Sequence, residues 1–202
     1  MNERTIADAR IFNLHISTYK LLFLLGLAFE LIGQILLSKG NDFVYSLKPI
    51  DFAHWSLLIG VVLLIPQVVS FPNKLFSYIG TPLALGGIVC IIGMCVLDFI
   101  WWSQPTQDIR NEFAGHLSQF PSIWKPFIES GPKYLNIGLF FLSLNYFMQN
   151  KLGVIIIIFT TLIFVNLIPI PFKMIIGYSL TLIGFTVIFL KKENKNVLQQ
   201  GV

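Results

Sequence analysis

The chain has 202 residues, of which 55% are hydrophobic and only 12% charged, and its formal net charge is +4. A soluble domain carries about 25% charged residues, so this composition excludes a globule solvated by water and makes lipid the solvent for much of the surface. The Lys and Arg residues sit at the ends of apolar runs, where they snorkel and set topology; the positive balance is therefore a membrane signature, and no nucleic acid is expected as a partner.

Met1 to Tyr19 starts polar and becomes mildly amphipathic through Ile11, Phe12, Leu14 and Ile16, which predicts an interfacial lead-in. The first apolar run ends without a small-residue cleavage site and reads as an uncleaved signal anchor. Spans are predicted at 21–38, 55–71, 75–102, 134–148, 152–168 and 172–190. The third is the longest. It has no charge from Leu75 to Leu97, and a helix of that length rises roughly 34 Å, enough for a hydrocarbon core of about 30 Å. Trp101 and Trp102 close it as an interfacial anchor. Its Gly80, Ala84, Gly86, Gly87, Cys90 and Gly93 predict close helix packing, which makes it the candidate central helix. Both cysteines, Cys90 and Cys95, lie inside it and read as packing residues. Pro66 in the second span predicts a kink.

A polar insertion, 103–132, separates the third span from the fourth. In it Thr106 is a candidate cap, and Ile109, Phe113 and Leu117 recur every four residues, which predicts an amphipathic helix on the membrane surface. Pro121 should end it. Spans four and five are short for a bilayer. The tail after Lys192 is polar and reads as disordered. The expected fold is therefore all-α: a polytopic membrane helix bundle with six transmembrane helices and an amphipathic surface helix between helices 3 and 4, forming a single membrane domain over residues 1–202.

Six spans put both termini on one side. That side carries eight basic residues (Arg4, Arg10, Lys20, Lys74, Lys151, Lys191, Lys192 and Lys195) and the other six (Lys39, Lys48, Arg110, Lys125, Lys133 and Lys173). The richer side should be cytoplasmic, so the chain reads as a multi-pass protein of the cell membrane with cytoplasmic termini. Its expected surroundings are the lipid bilayer and a membrane-protein partner or a small solute.

Glu30 stands in the middle of span one. Within hydrocarbon a carboxyl group keeps its proton or pairs its charge, and such residues are functional candidates. Gly26, Glu30, Gln34 and Ser38 recur every fourth residue and mark the buried face of the span. Depth counting brings Gln67 and Asn145 near Glu30 as hydrogen-bond partners and leaves Asp98 about 20 Å away along the normal. The candidate intramembrane polar site is Glu30, Gln34, Gln67 and Asn145. A second candidate lies at the outer face: His54, Asp98, Asp108, Glu112 and His116. The last three, one turn apart, have the donor types of a divalent-metal site, although a solvated helix face has the same pattern. There is no His-Glu-x-x-His, paired-Cys, phosphate-loop or nucleophile-elbow motif, and no cofactor is expected.

Three functions follow in order: a binding, scaffold or accessory membrane protein; a small transporter or permease-like protein using Glu30; and a membrane-embedded enzyme with an outer-face site. A cavity reaching Glu30 favours transport. Convergence of His54, Asp98 and His116 favours an enzyme. A packed interior favours binding.

Overall fold

Long apolar runs satisfy their backbone groups in lipid only by folding into helices or closed barrels, and here the elements are helices. The computed structural model describes the backbone of residues 3–47, 49–72 and 74–190 and the side chains of 17–47, 49–72 and 74–190. The side chains of most of the amphipathic lead-in, and the polar tail, lie outside the described residues. In chain order the helices are α1 (Glu3–Leu37), α2 (Asn41–Ser46), α3 (Phe52–Val69), α4 (Leu75–Ser103), α5 (Gln107–Ser118), α6 (Pro121–Ile123), α7 (Gly131–Leu144), α8 (Lys151–Phe164) and α9 (Lys173–Leu190). A π-helical stretch, Trp124–Ser130, joins α6 to α7. There is no strand among the described residues.

Four helices are long and apolar enough to cross a membrane: the Ser17–Leu37 part of α1, then α3, α4 and α9. Four of the six expected spans meet this measure of length and composition. α7 and α8 have 14 residues each, or about 21 Å, which falls short of the hydrocarbon core. α8 is short because its ends are fixed. Asn150 caps its start by accepting from the Gly153 N–H at 3.1 Å, and Asn166 turns the chain at φ 62° just beyond its end. α7 begins earlier than its apolar run suggests, because helical turns from Pro121 lead into it without a break. Pro126 lies in the π-helical stretch, where a proline cannot donate a regular helical hydrogen bond. The second half of the polar insertion is thus helical. α3 and α4 run on past Pro66 and Pro82.

The six long elements close into a ring in the order α1, α3, α4, α7, α8, α9 and back to α1. α4 is accordingly one wall of the ring, with α3 and α7 as its main neighbours, and not a central helix. Three antiparallel pairs are joined through glycines, which let helices approach in lipid, where no hydrophobic force drives them together. In α1/α3 a Cβ at Gly26 would lie 2.7 Å from the Gly60 carbonyl oxygen. In α4/α7, Gly87 lies against the Leu135 backbone and Gly138 against that of Ala84; in α8/α9, Gly153 lies against the Gly184 carbonyl and Gly184 against Ile157. Gly86, by contrast, meets nothing within 4 Å.

All six walls contribute to one apolar core. Toward the Lys20 end it is aromatic: Phe23, Phe71, Tyr146, Phe185 and Phe189 meet mostly edge to face, Phe23 and Phe185 with centroids 4.8 Å apart, and the Lys20 ammonium lies 5.6 Å from the Phe189 ring. The outside of the ring is apolar as well, with Leu21, Ile35, Val62, Val89, Ile155 and Ile183 exposed. Helices that are apolar on both faces belong in lipid.

The helix expected in the polar insertion is present as α5. The Thr106 hydroxyl accepts from the Ile109 N–H at 3.4 Å, and the chain turns before Pro121. Phe113 and Trp124 both lie edge-on to Trp101 at 6.1 Å. Arg110 donates to the carbonyls of Trp101 at 3.3 Å and Gln104 at 2.6 Å, and so ties α5 to the end of α4.

Candidate functional site

The site is built where α1, α3, α4 and α9 face one another toward the His54 end of the ring. Its deepest member is Glu30, only 1% exposed. The expected stripe is buried at Gly26, Glu30 and Gln34, while Ser38 is exposed. The glycine crossing of α1 on α3 leaves room for the acid: a Cβ at Gly60 would lie 2.8 Å from Glu30 Oε1. From α9 the Tyr178 hydroxyl faces the carboxyl group, and the Tyr178 ring is held edge-on by Phe164 at 5.2 Å. Glu30 Oε1 and the Tyr178 hydroxyl are both fully enclosed, and each is the polar group that the other faces. The Cys95 thiol of α4 lies within electrostatic reach of Glu30 and also of Asp98 and Asp51.

The partners read from depth lie elsewhere. Gln67 is seven residues along α3 from Gly60, about 10 Å, and its own Oε1 is unpartnered. Asn145 follows the last residue of α7 at the Lys20 end, where its amide donates to Ser77 Oγ at 2.9 Å and the Lys74 ammonium meets its carbonyl at 3.5 Å. Depth counting misplaced Asn145 because the helical run ending in α7 starts well before the apolar stretch. Gln34 lies one turn beyond Glu30 and lines a cleft of about 440 Å³ between the end of α1 and the start of α9.

At the mouth of the ring is a carboxylate–imidazole–carboxylate cluster. Asp51 caps α3: one oxygen accepts from the His54 N–H at 3.1 Å and the other meets His54 Nδ1 at 2.6 Å. His54 Nε2 lies 3.2 Å from Asp98 Oδ2. The two carboxylates thus engage both imidazole nitrogens, and a ring carrying a proton on each nitrogen would satisfy both contacts. Tyr45 of α2 borders the cluster, with the Arg110 guanidinium 4.1 Å from its ring. Burial, then the Asp98 charge, raise the Tyr45 phenol above its ordinary pKa, against the pull of Arg110.

Of the outer-face candidates the structure therefore joins His54 to Asp98 and leaves Asp108, Glu112 and His116 apart. Those three are exposed on α5, and the His116 ring packs on Phe120 at 5.1 Å. α5 reaches the cluster through Arg110 instead. Among the described residues no three His, Cys, Asp or Glu side chains are grouped to hold a metal. The sequence reading missed Asp51 and Tyr178. Asp51 carried a usable signal, since an Asp three residues before His54 at the start of an apolar run is an N-cap pattern.

The cluster and Glu30 are closer than the depth count implied. Gly60, which touches Glu30, is six residues from His54 along α3, or about 9 Å. Counting from span ends failed because α4, with 29 residues, exceeds the bilayer thickness, so its ends are not level with those of α1. Compared with known proteins, the chain matches no family model, no curated protein and no solved structure.

Proposed function

We propose that this is a six-crossing protein of the cell membrane, with both termini in the cytoplasm, that moves a small solute in step with protonation of Glu30. Six crossings are supported by the way the short helices lie along long ones. Contacts between α4 and the run leading through α7 extend from Gly80 to Gly93, roughly 20 Å of α4. A locally thinned bilayer accommodates the rest.

The observation that carries the transport reading is the enclosed Glu30 carboxyl, which faces the Tyr178 hydroxyl and no counter-charge. Buried polar groups in proteins are almost always bonded, and a purely structural acid in lipid is expected to be fully bonded as well. An acid poised beside a single hydroxyl is instead equipped to take and release a proton. Asp98 and His54 form a carboxylate–imidazole pair at the mouth, and the Cys95 thiol lies within electrostatic reach of both acids, Asp98 and Glu30. The cleft reaches Gln34 and stops one turn short of the acid, so a path to Glu30 requires the packed ring to open. The catalytic reading has less support, since both imidazole nitrogens of His54 are engaged by carboxylates.

The test is a pH jump applied to reconstituted vesicles adsorbed on a sensor surface. Loading of Glu30 should give a transient current that is absent from Glu30→Gln, a variant nearly isosteric with the acid. Equal currents in the two proteins, or none in either, overturn the reading. The second outcome favours a binding or accessory protein, for which the specific observation is the aromatic filling of the Lys20 half of the ring.

A further inference from the structure

We propose that the cleft beside Gln34 binds an anionic amphiphile, with its acidic head at Lys173 and its chain against the apolar wall. This site stands on its own lining and holds whether or not Glu30 carries a proton. The cleft, about 440 Å³, has Leu37, Ile170, Phe172 and Met174 in its wall, and its size falls in the range of small-molecule sites. Three features select a negative head. Lys173 lines the cleft, and its ammonium meets the neutral Asn166 side chain at 2.8 Å. The residues Lys173, Met174 and Ile175 form the first turn of α9, an 18-residue helix, where helix geometry leaves backbone N–H groups without partners and favours anions. Gln34 is nine-tenths buried, lines the cleft and has no side-chain hydrogen-bond partner among the described residues. No acidic residue lines the cleft. The apolar wall is what separates an amphiphile from a free inorganic anion.

The shared chemistry is a carboxylate or phosphate on an alkyl chain, which a free fatty acid or an anionic phospholipid supplies. The full chain in phosphatidylcholine vesicles is labelled with a diazirine-bearing fatty acid, and the adducts are mapped by peptide mass spectrometry. Labelling should concentrate on the peptides around Leu37 and Met174. Losing one charge-assisted contact in Lys173→Gln should weaken it roughly tenfold without changing the melting temperature, and Gln34→Leu should weaken it less. Competition by laurate alone assigns the site to free fatty acids, and competition by phosphatidylglycerol assigns it to lipid. The proposal is overturned by labelling spread evenly around the ring, by unchanged labelling of Lys173→Gln, by competition from neither amphiphile, or by inorganic phosphate competing as well as laurate.

Discussion

Glu30→Leu is expected to raise the thermal stability of the protein while abolishing its response to pH. The wild-type side chain holds an enclosed oxygen without a well-formed hydrogen bond, wedged between Gly60 and Tyr178. A buried polar atom left unpaired costs about 1–3 kcal/mol. Leucine fits the volume and removes that cost, so the variant should gain stability of this order. If Glu30 instead formed a closed structural bond, the same substitution would strand its partner and destabilise the fold by a similar amount. Tyr178→Phe, made in the Glu30→Leu background, should add further stability because it removes the second orphaned oxygen. Melting curves in one neutral detergent decide the sign. A residue whose removal stabilises the fold is one kept for what it does.

A valine at Gly87 is expected to cost about 3 kcal/mol or more, whereas a valine at Gly86, its neighbour, should be nearly silent. A Cβ at Gly87 would fall on the backbone of Leu135, which cannot rotate away, while one at Gly86 meets nothing within 4 Å. Overpacking that backbone cannot relieve sits at the severe end of its range. The α4/α7 pair would have to separate, and with it the ring, because α7 is tied to the remaining walls mainly through α8. The measurement is the monodisperse fraction after purification and its melting temperature. Equal behaviour of the two variants would mean that α4 presents a different face to α7.

These two residues also show what was legible in the sequence. Apolar length gave the Ser17–Leu37 part of α1 and all of α3, α4 and α9 to within a few residues, since nothing competes with helix in a long uncharged run. Thr106 with the four-residue period of Ile109, Phe113 and Leu117 gave α5. The small residues of α4 announced close packing but not its direction: Gly86 and Gly87 look alike in a sequence, yet they point about 100° apart and only Gly87 meets α7. Depth was the weak step. It assumes that all spans start level, and neither the 29-residue α4 nor the helical run entering α7 does. Gln67 and Asn145 were therefore paired with Glu30 in place of Tyr178, whose hydroxyl no local pattern links to an acid 148 positions away. The exposed face of α5 drew attention to Asp108, Glu112 and His116, while the residue of α5 that reaches the cluster was its one cation, Arg110.

The central claim is that Glu30 gains and loses a proton inside the bundle. Infrared spectroscopy of the reconstituted protein, with isotope-labelled glutamate, tests it directly. The account predicts a protonated-carboxyl band that comes and goes reversibly with external pH in the wild type and is missing from Glu30→Gln. A band that stays constant at every pH, or that persists unchanged in Glu30→Gln, would contradict it.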